Sequence, residues 1–193
     1  MQNKLTKGDI VLLLLYANNC SPIIGRTRFQ KILFVFEKEI YKQYEFDKKI
    51  DIKTPNLFNF SAYHYGPFST EAYKLLEFFI NIGIVNKESE SAQEVVAENI
   101  NDYSIVNDDF TQFDDKEDMT LPSPFMDEKY VLSSKGKEYV SKNLISFYNE
   151  KKEVLDKFKS KFIESSLQTI LRYVYTKYPE MTTNSKIKDE ILK

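Results

Sequence analysis

A mostly α fold of the α+β type follows from three features of this sequence. Long segments carry apolar residues at helical spacing. Strand-like stretches are short and few, around residues 58–65, 84–85 and 129–132. Those stretches sit between helices instead of following one another. With 193 residues the chain suits one domain, or one domain with an appendage, and 42% hydrophobic against 29% charged residues is enough to build a core.

Lys7 to Asn18 reads as the first helix. Ile10, Leu13, Leu14 and Ala17 form a stripe, and Val11, Leu12 and Leu15 fill most of the remaining surface. A helix apolar nearly all round belongs at the centre of a core. Asn18-Asn19 and Ser21-Pro22 break it. The run Ile10 to Leu15 is far shorter than the ~20 residues of a membrane helix, and no small-residue cleavage site follows it. The expectation is a soluble cytoplasmic protein. The lone Cys20 agrees with a reducing compartment.

A second helix begins near Gly25-Arg26-Thr27. Phe29, Ile32, Leu33, Phe36 and Ile40 are its apolar positions, and Arg28, Lys31, Glu37 and Lys38 are expected outside. After a polar stretch from Tyr44 to Pro55, Phe58, Phe60 and Ala62 alternate with Asn59, Ser61 and Tyr63, which predicts an extended segment ended by Gly66-Pro67. Ser69 is placed to cap a third helix, with Glu71 in its first turn. Ala72, Leu75, Leu76, Phe79 and Ile82 give its stripe, Gly83 its stop, and Ile84-Val85 the start of a strand.

Charge then divides the chain. Glu88 to Asp118 holds eleven acids against one base, a net of -10, while the remainder nets +8. The near-neutral total of -2 conceals both regions. Composition favours a solvated loop for the acidic stretch. The sharper reading is a negative arm that covers a basic face or imitates nucleic acid. Val95, Val96, Ile100, Tyr103, Ile105, Val106, Phe110 and Phe113 could dock part of it. Leu121-Pro122-Ser123-Pro124 closes it as a stiff connector. Lys129 to Leu132 reads as a strand, and Ser133 to Gly136 as a turn or cap into helices carrying Tyr139, Val140, Leu144 and Phe147, then Val154, Leu155, Phe158 and Phe162. Leu167, Ile170, Leu171, Val174 and Tyr175 mark another helix, ended by Pro179. Asn184 or Ser185 is placed to cap a last short helix with Ile187, Ile191 and Leu192.

Two amphipathic helices, then a helix followed by a strand pair, is the order of a winged helix-turn-helix. This predicts a winged-helix-like core over residues 1–140, with the acidic insertion at 88–118 as an enlarged wing loop. Residues 141–193 become a helical extension that packs on the core or forms a homodimer face. The spacing between the second and third helices is long for a plain helix-turn-helix.

Chemistry-bearing candidates are few. One Cys and one His exclude an internal disulfide and most metal or His-based catalytic sets. His64 is expected to be structural, since no G-x-S-x-G elbow accompanies it. Asp51-Ile52-Lys53 supplies the D-x-K half of a nuclease-like Mg²⁺ site without a partner carboxylate on a preceding strand. The scattered glycines build no phosphate loop. No cofactor or metal is expected.

The densest cluster is Tyr63-His64-Tyr65-Gly66-Pro67-Phe68-Ser69. It is either a surface for a peptide, base or phosphate, or a turn made by Gly66-Pro67 whose aromatics pack as core. Arg26 and Arg28 are two of only three arginines, and Lys31 lies a turn further on. They suit a phosphate or an acidic partner, or an internal ion pair with Glu71 or the acidic insertion.

Several stretches resemble a known family. Gly25-Arg26-Thr27-Arg28-Phe29-Gln30-Lys31-Ile32-Leu33-Phe34 resembles the G-R-T-x-[LF]-Q-K-[LI]-[LVI]-F stretch of YwgA-like bacterial proteins. Tyr65-Gly66-Pro67-Phe68-Ser69 resembles their Y-G-P-[YF]-S element, and Tyr175-Thr176-Lys177-Tyr178-Pro179-Glu180 their Y-x-K-Y-P-E. Ile82-Gly83-Ile84-Val85 and Tyr130-Val131-Leu132-Ser133-Ser134-Lys135-Gly136 are similar to patterns of many winged-helix proteins. A more distant similarity is to Panacea or SocA-like antitoxin domains, which pair L-Q-K-L-L-[YF] with a Y-G-P turn. The resemblance covers most of the chain except residues 88–118. It implies a winged-helix-like core in a regulatory, antitoxin or phage-defence setting, and supplies no reaction.

The expectation is therefore a non-enzymatic binding protein whose partner is a protein, such as a toxin or a defence component. The competing expectation is a winged helix-turn-helix transcriptional regulator bound to DNA. The helix over 69–82 carries Glu71, Lys74 and Glu77, a poor set for neutralising phosphates.

Overall fold

The computed structural model describes residues 4–50, 56–89 and 128–193. Asp51-Ile52-Lys53, the acidic stretch beyond Ser89 and the 121–124 connector lie outside the described residues. The chain is mostly helical with a small antiparallel sheet, as its patterning predicts.

Helix α1 (Lys7–Cys20) starts at a reciprocal cap: Thr6 Oγ1 accepts from the Asp9 amide at 3.1 Å, and Asp9 Oδ2 accepts from the Thr6 amide at 2.8 Å. Ile10 to Leu15 are all buried, so its all-round apolar surface does place it centrally. Regular geometry ends at Tyr16. Asn18, Asn19 and Cys20 have φ of 50°, 55° and 57°.

A two-residue strand, β1 (Ile23–Ile24), follows. Sequence reasoning misses it because two residues carry no periodicity. Helix α2 (Arg26–Val35) continues into a π-helical turn, Phe36–Ile40. Its expected outer face holds only at Lys38, which is exposed: Arg28, Lys31 and Glu37 are buried. The helix is enclosed on several sides, so charges off the apolar stripe also lose solvent, and each finds backbone partners instead.

The extended segment is shorter than its alternation suggests. Phe58 and Phe60 are buried, but Asn59 has φ 52°, which interrupts a strand, and β2 covers only Ser61–Tyr63. Gly66-Pro67 does not end the extended region. It forms β3 (Gly66–Phe68), antiparallel to β2, with Tyr63 opposite Gly66 and Ala62 opposite Pro67.

Helix α3 (Thr70–Asn81) is capped by Ser69, whose Oγ accepts from the Ala72 amide at 3.0 Å, and stops before Gly83 at φ 71°. Strands β4 (Val85–Ser89) and β5 (Glu128–Leu132) pair antiparallel, Val85 opposite Leu132, and β1 completes a sheet of order β1-β5-β4. Ser133 caps α4 (Ser134–Asn143) as its position predicts.

Helices α5 (Ile145–Glu164) and α6 (Leu167–Lys177) join the same buried cluster through Leu155, Phe158, Phe162, Ile170, Leu171, Val174 and Tyr175. A 3₁₀ turn at Pro179–Thr182 and a short α7 (Lys188–Ile191) finish the chain. No side chain caps α7, although Ser185 Oγ accepts from the Ile187 amide at 3.3 Å.

Candidate functional site

The three stretches that stand out in the sequence meet in space, and Gln30 and Lys31 of the first are bonded to the second. Gln30 reads the backbone of Ser69 as a paired strand would: Nε2 donates to Ser69 O at 3.1 Å, and Oε1 accepts from Ser69 N at 3.0 Å. Lys31, 2% exposed, donates to Pro67 O at 3.0 Å. Ser69 Oγ donates to Phe58 O. Gly66 sits at φ +80°, and a Cβ there would lie 2.8 Å from Cε1 of Tyr175. So α2, the β2–β3 hairpin and α6 form one internal latch. Burial pushes the Lys31 amine down to about 7.

The third stretch, with Tyr173 just before it, fastens the π-helical turn that follows α2. Glu39 Oε1 accepts from Tyr173 Oη at 2.6 Å and Tyr178 Oη at 2.8 Å, and Lys177 Nζ lies 2.9 Å away. Burial alone would raise the Glu39 carboxyl, but these donors hold it below its ordinary value.

Arg26 is held by its own chain. Its Nε donates to Glu128 Oε2 at 2.7 Å and to Tyr130 Oη at 3.1 Å, and its Nη1 donates to Tyr73 Oη at 2.5 Å. Glu77 stands 3.7 Å from Nη2, and Lys87 pairs with Glu128 at 2.5 Å. Glu71, the expected partner for these arginines, pairs instead with Lys7 at 2.6 Å. Burial would raise the Glu128 carboxyl, yet Arg26, Lys87 and Tyr130 depress it to about 2.

The other two arginines end helices. Arg28 Nη1 donates to Phe162 O and Ser165 O, both at 2.5 Å, at the C-terminus of α5. Arg172 Nε donates to Ile191 O at 3.1 Å, at the end of α7. A guanidinium satisfies the orphan carbonyls and the negative pole of a helix end together.

The rings of the hairpin form a half-buried series. Tyr63 stacks on His64 at 4.3 Å between centroids, Phe68 is 5.5 Å from Tyr63, and Tyr73 is 6.5 Å from Phe68. Arg26 lies over Tyr73 at 5.2 Å. Tyr65, Gly66, Pro67 and Ser69 are buried. His64 O accepts from the Lys186 amide at 2.9 Å, tying the hairpin to the C-terminal segment.

Large apolar side chains are exposed elsewhere: Tyr139 on α4, Leu192 at the chain's last turn, and a pair at α3. Phe78 and Ile82 on the outer side of α3 are 53% and 40% exposed, although Ile82 belongs to the predicted buried stripe. Ile82 falls at the helix end, where it caps rather than packs. Phe78 lies off that stripe, beside buried Phe79, and this adjacency is the only sequence signal for it. Lys74 is exposed on the same side. A groove of about 490 Å³ beside it is lined by Lys7, Thr70, Glu71, Lys74 and Leu75.

Among the described residues no group of three or more His, Cys, Asp or Glu could hold a metal ion, and no helix is long and apolar enough to cross a membrane. No family model, curated protein or solved structure matches the chain.

Proposed function

We propose that this chain is a non-enzymatic protein-binding module built on a winged-helix-like core, with α3 as the contact helix. The order α1-β1-α2, then α3-β4-β5 after the intervening β2–β3 hairpin, and the sheet order β1-β5-β4 support that core. In this reading β4 and β5 are the wing, and residues 90–127 between them are its insertion. The antitoxin or phage-defence setting implied by the resemblance to YwgA-like and Panacea-like proteins belongs to the same proposal, with a toxin or defence component as partner.

One observation carries the choice of protein over DNA. The outer side of α3 presents Phe78 and Ile82 to solvent, and the acids of the helix, Glu71 and Glu77, leave Lys74 as its one base. An aromatic and an aliphatic anchor suit a protein interface. Duplex affinity rests on neutralised phosphates, which this face does not supply.

The test has two arms. Fluorescence anisotropy with random duplex DNA, from low to moderate salt, should show no saturable binding. Tight, steeply salt-dependent binding lost in Lys74→Ala would replace this reading with the winged helix-turn-helix regulator. A photoreactive residue placed at position 78 in cells should crosslink a polypeptide of discrete mass, and Ile82→Asp should abolish the adduct.

A further inference from the structure

Where α1 ends, the backbone is forced. Ala17 is extended (ψ 159°), and the next three residues, none of them glycine, take left-handed φ. L-residues rarely adopt three such conformations in a row, so surrounding contacts must impose them.

Those contacts come from α5. Asp156 Oδ1 accepts from the Asn18 amide at 2.6 Å. Lys159, 0% exposed, donates to Leu15 O at 2.8 Å and to Ala17 O at 2.9 Å. Asp156 is itself held by Tyr148 Oη at 2.6 Å and Lys152 Nζ at 2.8 Å. Among the described residues Lys159 forms no ion pair.

We propose that Lys159 is a pH-responsive clasp: its neutral amine holds the strained 17–20 turn against α5, and its protonation favours local opening of that turn. The titratable and charged groups around it are Cys20 on α1, Asp156 and Tyr148 on α5, Lys137 on α4, which acts on Cys20, and Arg28 of α2 one turn further along α5. Neutral carbonyls stabilise an ammonium less than water does, and burial lowers the Lys159 amine to about 7.

The direction of the effect follows. In the closed state the amine is neutral above about pH 7. Once hydrated, it stays protonated to its ordinary value of about 10.4. Opening is suppressed at high pH, rises as pH falls through that window, and levels off below about 7.

Cys20 is the chain's only cysteine and lies inside the turn, half-buried, so it reports opening in the intact protein. Its labelling rate by a disulfide reagent is measured from pH 6 to 10 and divided at each pH by the rate in the urea-unfolded chain. The wild type should open up to roughly tenfold more per unit of falling pH between about 9.5 and 7.5, then plateau. Lys159→Met should remove the slope, and Lys159→Arg, which cannot deprotonate, should label fast at every pH.

Lys31→Met should leave the slope in place. A flat wild-type profile, an unchanged slope in Lys159→Met, or an equal loss of slope in Lys31→Met would overturn the proposal, the last by showing global unfolding. If Lys159→Met does not fold, NMR titration of the wild-type Lys159 side chain replaces it. A midpoint near 7 that tracks the labelling plateau supports the clasp. A midpoint near the ordinary lysine value ends it.

Discussion

The β2–β3 hairpin and the α3 helix that follows it are neighbours in sequence and opposites in use. The hairpin holds the most distinctive residues of the chain, and its Tyr65, Gly66, Pro67 and Ser69 are enclosed by α2 and α6. Helix α3 looks like an ordinary amphipathic helix, yet it shows Phe78 and Ile82 to solvent. A distinctive motif can mark a demanding backbone join as readily as a binding site. An unremarkable stripe with one aromatic out of phase can mark the exposed face.

The contrast is broken most sharply at Gly66. Gly66→Ala places a methyl 2.8 Å from the Tyr175 ring at a left-handed φ. It should cost about 3 kcal/mol of stability, visible as a large drop in thermal midpoint. A loss below about 1 kcal/mol would mean that the latch yields easily and is not rigid.

Gln30→Ala comes next. It strands a buried donor and a buried acceptor of Ser69, and should destabilise by about 2 kcal/mol in urea unfolding. Asn at position 30 should not restore the loss, because its shorter side chain cannot span both atoms.

The pH dependence of stability sharpens the same point. Lys31 and Lys159 both have folded-state values lowered to about 7. A lowered lysine value means the unfolded chain binds more protons, so stability should rise from pH 7 toward 10. The slope should approach about 1.4 kcal/mol per unit for each lysine. Lys31→Met should remove one lysine's share of that slope in urea unfolding at pH 7 and 9. An unaltered slope would show that Lys31 is hydrated in the fold.

The smallest expected effect falls on α3. Phe78→Ser should change stability by no more than about 0.5 kcal/mol, since the side chain is more than half exposed. With the photoreactive residue moved to position 82, the same substitution should abolish the adduct. A stability loss like that of Gly66→Ala would place Phe78 in the core and erase the difference between the two regions.

Much of this was legible beforehand. Thr70–Asn81 between Ser69 and Gly83, the turn or cap at Ser133 to Gly136, the strands that hold Val85 and Leu132, and the burial of α1 all follow from local rules of capping, periodicity and turn chemistry. The candidate site was legible only as a set of residues. That Gln30 meets Ser69 across 39 positions, or that Arg28 reaches the end of α5 across 134, depends on how helices pack, and no local spacing encodes it.

Sequence alone therefore determined most of the helices, the bounds of α3, the opposed charges of two stretches and the shortage of catalytic groups. Tertiary structure decided where the cations go. Arg26, Arg28 and Lys31 suit a phosphate or an acidic partner in the sequence, but in the fold they, and Lys159 with them, answer Glu128 or backbone carbonyls left open at helix ends and in the hairpin. The reason is physical: enclosed carbonyls need donors, long basic side chains can reach them, and which carbonyl ends up enclosed is settled only when distant segments meet.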